Sequence, residues 1–247
     1  MKPALILQLR PEDDASDGEF RAFLTKGRLA EGDVVRHRLE TDALPTEFSL
    51  DDFSAVIVGG GPGCVSDDPA TRDPAEARAE AEILALLPEI IERDMPFMGC
   101  CAGIGILANH LGGDVSKARY GEPVGAVKVS VTDAGLTDPL LQGLPASFDV
   151  LVGHKEAVQS LPDTITHLVS GDACPIQMIR VKQNIYATQF HPEADGAVFA
   201  ERIRIYRGHG YFRPEEADAL TEAVHSSEIV QPERILRHFV DRFVKSN

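Results

Sequence analysis

Apolar and polar positions along this chain fall into two patterns, short continuous apolar runs and longer stretches with apolar residues at helical spacing. Ala4-Leu5-Ile6-Leu7-Gln8 is a continuous run suited to a parallel strand buried on both faces. Phe20, Phe23 and Leu24 then recur at helical spacing, Val34 and Val35 begin a second strand, and Ala55-Val56-Ile57-Val58 forms a third. Asp73-Pro74-Ala75-Glu76 reads as a helix start, with Asp as N-cap, Pro at the first helical position and Glu placed for a capping box. Ile83, Leu84, Leu87 and Ile91 line one face of that helix. Pro88 interrupts the pattern, and a proline inside a helix costs roughly 3 kcal/mol, so a kink or break is expected there.

The pattern changes after Leu111-Gly112-Gly113. Closely spaced strands are predicted over 124–131, 148–152, 167–169, 176–181 and 185–189, implying either a mixed sheet or a hairpin layer added to a parallel core. Beyond Ala197 the chain reads as helical again, with breaks near Gly208-His209-Gly210 and Val230-Gln231-Pro232. No repeat, low-complexity tract or linker divides the sequence. The expected architecture is one α/β domain over residues 1–247, a central mostly parallel sheet flanked by helices, with a small antiparallel addition.

Composition narrows the function classes. With 247 residues and a formal net charge of −15, the chain has enough length for a full core and no general affinity for nucleic acid or an anionic membrane. No segment reaches the length of a membrane span, and Met1-Lys2-Pro3 does not open a signal peptide. Cys64, Cys100, Cys101 and Cys174 lack the spacing of zinc or disulfide frameworks, so a cytoplasmic location is expected, with no metal and no cofactor. Glu12, Asp13, Asp14 and Asp17 read as a solvated loop.

The stretch with the most chemical content is Gly99-Cys100-Cys101-Ala102-Gly103, between the apolar Pro96-Phe97-Met98 and a helix-like run over 104–111. A nucleophile at a strand-to-helix turn sits on a strained bend that exposes its side chain, and flanking glycines let strand and helix approach. Cys101 has glycines at both required positions, whereas Cys100 is flanked there by Met98 and Ala102 and reads as core. The helix N-terminus is expected to favour the Cys101 thiolate. Outside this context a free cysteine is simply a small buried hydrophobe.

A thiol nucleophile needs a base to take its proton and return it to the leaving group. Gln189-Phe190-His191-Pro192-Glu193 follows a predicted strand and offers His191 as that base, with Glu193 to orient the imidazole. Gly59-Gly60-Gly61-Pro62-Gly63 ends the third strand without the Lys-Ser/Thr of a P-loop. It reads as half of an oxyanion hole, with the N–H groups of Gly61 and Ala102 as donors. In an open α/β sheet these loops meet at one edge. The same loop also fits an ordinary tight turn, and His191 with Glu193 also fits a surface ion pair.

Taken in order, Gly60-Gly61-Pro62-Gly63, Gly99 to Gly103 with Leu111-Gly112-Gly113, His154-Lys155-Glu156-Ala157-Val158 and Phe190-His191-Pro192-Glu193 resemble the class I (triad) glutamine amidotransferases, especially those like the amidotransferase domain of GMP synthase. The resemblance implies a flavodoxin-like fold and a Cys101–His191–Glu193 triad that hydrolyses glutamine through a γ-glutamyl thioester. It also implies an oxyanion hole at Gly61 and Ala102 and substrate contacts from Gly60, Gly105 and His154. Ammonia would pass to a separate synthetase or acceptor protein, since no synthetase domain is read in this chain.

The sequence departs from that family at two positions. Where the family places Gln four residues after the nucleophile, Gly105 stands here, and the usual bulky residue after the cysteine is Ala102. Substrate identity therefore stays open between glutamine and another γ-glutamyl amide, for which Gly105 would accommodate a larger leaving group. A catalytically silent regulatory protein that docks on a synthetase is the alternative from outside the enzymes. His154 fits a structural role as well as a substrate contact, and Tyr206, His209, Tyr211 and Phe212 are candidates to cap the site or meet a partner.

Overall fold

The computed structural model describes residues 2–246. Its continuous apolar runs became strands β1 (Ala4–Gln8), β2 (Val34–Arg38), β3 (Ala55–Val58) and β4 (Phe97–Cys100), all parallel in the order β2-β1-β3-β4. Helices α1 (Asp13–Gly27), α2 (Pro74–Arg93) and α3 (Ala102–His110) lie among them. The two short strands β5 (Asp114–Ser116) and β8 (Ala157–Ser160) form a small antiparallel sheet of their own. The later strands are β6 (Glu122–Val131), β7 (Ser147–His154), β9 (Ile165–Gly171), β10 (Met178–Val181) and β11 (Ile185–Thr188). Strand β11 pairs in parallel with β4, and β10, β9, β6 and β7 continue the same sheet antiparallel. Of the two layouts the sequence allowed, the mixed sheet is the one adopted.

Side-chain alternation places two cores on opposite faces of the sheet. Ile6, Ile57, Met98 and Tyr186 face α1 and the last helix, α6 (Pro232–Phe243), through Phe23, Ile235 and Phe239. Leu7, Val58, Phe97 and Ala187 face α2 and α3 through Ile83, Leu87, Ile104 and Leu107. Burial of both faces explains why these strands are continuous apolar runs. A third cluster packs α4 (Gly196–Ile205) and α5 (Ala217–Ser226) against Leu151 of β7. The helix breaks expected near 208–210 and 230–232 separate α4, α5 and α6.

Three local expectations need correction. Helix α2 runs unbroken through Pro88, which lies on its exposed face, where water can serve the carbonyl that loses its partner. Asp73 caps α2 by accepting from Ala75 N and Glu76 N, but Glu76 closes no capping box. Asp13, Asp14 and Asp17 are not loop: they form the start of α1, where acidic groups suit the helix N-terminus. Asp13 pairs with Arg38 and Asp17 with Arg36 of β2. Among the described residues no helix is long and apolar enough to cross a membrane.

Candidate active site

The C-terminal ends of β1, β3, β4 and β11 converge on one edge, and each contributes to the site. Cys101 joins β4 to α3 at φ 54° and ψ −94°, a left-handed region that a β-carbon disfavours. Its N–H donates to Thr188 O at 2.7 Å, which ties the bend to the end of β11. A β-carbon on Gly99 would lie 2.9 Å from the Gly103 carbonyl carbon, so glycine is required there. Gly103 itself has ordinary room. Cys100 is fully buried in the core shared with α1 and α6, as strand alternation demands, whereas Cys101 is half-buried and borders the cleft.

His191 follows β11 and is buried at 4 % exposure. Its Nδ1 lies 2.8 Å from Glu193 Oε1, and the same carboxylate oxygen accepts from Arg202 Nη2 at 2.7 Å. Burial pulls His191 below its ordinary 6.5, only partly offset by Glu193. Burial alone would raise Glu193, but His191 and Arg202 together hold it well below the usual carboxylate range. Glu193 is thus an anion that orients a neutral imidazole.

The expected thiolate is not the resting state. Burial pushes the Cys101 thiol up to about 12, against a downward pull from Arg10. A neutral thiol and a neutral imidazole therefore line the same cleft.

The glycine loop divides its tasks. Gly61 borders the cleft beside Cys101, and Ala102 occupies the first helical position of α3, whose N–H has no intrahelical acceptor. Gly60 does not reach the cleft: it is buried, and its N–H donates to Glu19 Oε1 at 3.1 Å. A β-carbon there would lie 2.7 Å from both His191 Cε1 and Arg10 Nη2. Its place is against His191 and Arg10, away from the cleft.

His154 borders the cleft but is held on both sides, by Glu122 Oε2 at 3.0 Å and Glu156 O at 2.8 Å. Glu122 also accepts from Gln177. Cys174 completes a cluster with donor atoms within 4.8 Å of one another. Both ring nitrogens of His154 face oxygen acceptors, an arrangement for N–H donors and not for lone pairs aimed at an ion.

The space left by Gly105 is filled. A β-carbon there would lie 3.2 Å from Glu156 Oε1, and Glu156 bridges the N–H groups of Val65 and Ser66 at 3.0 and 2.7 Å. A carboxylate thus stands where the family's glutamine side chain would start, and Gly105 opens no room for a larger leaving group.

Sequence reasoning missed Arg10, Glu19, Arg202 and Gln189. Glu19 on α1 accepts from Arg10 Nε at 2.8 Å, from Gln8 Nε2 at 3.0 Å and from the Gly60 N–H. Gln189 Nε2 points at Cys101 Sγ from 4.0 Å. The signal for Arg10 was its place two residues beyond β1, at the same sheet edge as the glycine loop. Glu19 and Arg202 sit within helical patterns and carry no mark in the sequence. Of the proposed cap, Tyr206 accepts from Arg10 Nη1 at 3.2 Å and stacks near Tyr211. Tyr211 borders the cleft on both sides of Cys101, with Lys155 Nζ 4.7 Å from its ring centre.

A strained turn at Cys101, a His–Glu pair at the neighbouring strand end and the first helical N–H of α3 thus meet at one edge of an α/β sheet. Residues 20–204 match the model of the glutamine amidotransferase class-I family, and the chain belongs to that family. It is 31 % identical over 178 residues to a glutamine-hydrolysing GMP synthase of Thermosipho africanus, covering 71 % of this chain and 31 % of that protein. It is 28 % identical over 174 residues to one subunit of the glutamine-hydrolysing GMP synthase of Archaeoglobus fulgidus, 70 % of this chain and 82 % of that one. The chain thus spans about a third of the length of the longer synthases it matches. A glutamine amidotransferase structure from Thermotoga maritima superposes with a TM-score of 0.77 at 19 % identity, covering 99 % of each chain, and shares the fold.

Proposed function

We propose that residues 1–247 form one glutaminase-type domain that cleaves a γ-glutamyl amide through Cys101, His191 and Glu193. The observation that carries this reading is Cys101 at positive φ, in one cleft with a buried His191 oriented by Glu193. His191 takes the thiol proton as Cys101 Sγ attacks the γ-carbonyl carbon. The developing oxyanion meets the N–H groups of Ala102 and Gly61. The C–N bond then breaks, and His191 passes its proton to the departing nitrogen. Water, activated by the same histidine, hydrolyses the thioester to glutamate. Gln189 holds the sulfur, and Glu193 steadies the imidazolium that forms between the two proton transfers.

With glutamine as substrate the leaving group is ammonia, and a separate synthetase or acceptor protein would receive it. That one of the relatives is itself a synthase subunit, matched over 82 % of its length, supports such a division of labour. The direct test is release of glutamate by the purified chain. Cys101→Ala should reduce it by about a thousandfold or more while leaving the fold intact. Undiminished release by Cys101→Ala would overturn the assignment.

A further inference from the structure

Cys101 stands between two clefts. The first is bordered by Ala102, Gly105 and the polar side chains of His154, Lys155, Glu156 and Gln189. The second is bordered by His191 and walled by Val124, Phe199, Ile203 and Phe212. His191 must deliver a proton to the departing nitrogen, so the leaving group belongs on its side. Ammonia is a single heavy atom and has no apolar body to lie against those walls.

The polar groups of the second cleft include two arginines, each only 6 % exposed. Neither is fully engaged by the protein. Arg10 places Nε on Glu19 and Nη1 on Tyr206, and its Nη2 makes no hydrogen bond among the described residues. Arg202 places Nη2 on Glu193, while Nε and Nη1 are buried without a partner. Unpaired buried donors are costly in a folded protein and mark a place for an acceptor. Apolar walls around guanidinium donors suit a ligand with an apolar body and an anionic end.

Resting on the γ-glutamyl thioester reading above, we propose that the His191-side cleft is a leaving-group subsite for a γ-glutamyl amino acid. The departing amine would carry an apolar or aromatic side chain packed between Val124, Phe199 and Phe212, and a carboxylate met by Arg10 Nη2. The chemistry is unchanged: the C–N bond breaks, His191 returns the proton taken from Cys101, and water completes hydrolysis to glutamate and a free amino acid. Arg10 is then the specificity-determining residue.

The test compares kcat/KM of the full chain for γ-glutamyl-phenylalanine, γ-glutamyl-phenethylamide and glutamine, read through glutamate, their shared product. The expected order places γ-glutamyl-phenylalanine about tenfold or more above both others, since only it has both ring and carboxylate. Arg10→Gln should collapse the ratio between the two aromatic amides. Because Arg10 also pairs with buried Glu19, a second variant, Val124→Glu on the partly exposed rim, reads the same ratio by repelling the carboxylate. Equal rates for the two aromatic amides, or glutamine preferred over both, would overturn the subsite. Glutamate from none of the three would overturn amide hydrolysis itself.

Discussion

Burial acts on both partners of the proposed proton transfer, raising the Cys101 thiol to about 12 and lowering His191 below 6.5. The reactive resting form is therefore the neutral pair, and its pH profile has a definite shape. His191 must be unprotonated to accept the proton, so the acidic limb of kcat/KM should fall below pH 6.5, and the rate should stay level to at least about pH 9. A preformed thiolate–imidazolium pair would instead give an alkaline limb as the imidazolium lost its proton. A second prediction concerns Gly105, where Glu156 Oε1 already fills the space of a longer side chain. Gly105→Gln, which restores the family's residue, should raise KM several-fold by displacing Glu156 from Val65 and Ser66. Steady-state kinetics on the variant checks this, and a lowered KM would contradict it. The proposed trio of Cys101, His191 and Glu193 could be picked out in the sequence because each member sits beside a glycine, a proline or a strand end. Glu156 as the occupant of the Gly105 space was not legible, since the two groups lie far apart in the chain and meet only in the fold.

At the scale of elements, the apolar runs located the strands closely: the segment expected over 124–131 is Glu122–Val131, and that over 185–189 is Ile185–Thr188. The small antiparallel addition expected is present as the sheet of β5 and β8, but its strands of three and four residues show no period that would place them in the sequence. The elbow depends on close contact between β4 and α3, and this is where Gly99 matters. Gly99→Ala would set a β-carbon 2.9 Å from the Gly103 backbone and should cost about 1–3 kcal/mol, read as a lowered urea midpoint. Pro88 sits in an unbroken, exposed helical turn, so its cost is a lost hydrogen bond and not a misplaced element. Pro88→Ala should stabilise the protein by up to about 2 kcal/mol, after the greater freedom it gives the unfolded chain. A destabilised Pro88→Ala protein would show that the proline is structurally required.

Across the whole molecule, a chain of buried charges links elements far apart in sequence. Arg10 after β1 and Gly60 after β3 meet at Glu19 on α1, and Arg202 on α4 joins Glu193 after β11. Arg202 also approaches Glu19 at 3.8 Å. Composition revealed only a net charge of −15, because pairing of this kind is a property of the fold. Glu193 is depressed in the folded state, so its contribution to stability is complete above its ordinary 4.5 and is lost as pH falls through the lower folded value. Arg202→Met should remove much of that acid resistance and cost about 3–5 kcal/mol at neutral pH by stranding a buried carboxylate. An unchanged denaturation midpoint would show that the Glu193 charge is held by other means. The central claim, that Cys101 is the nucleophile of a γ-glutamyl pocket, is tested most directly by trapping with a glutamine analogue reactive at its γ-carbon, followed by intact mass and peptide mapping. One adduct on Cys101, suppressed by competing γ-glutamyl substrate and absent from Cys101→Ala, is the predicted result. An adduct on Cys64, or none while a simple alkylating reagent still labels Cys101, would contradict it.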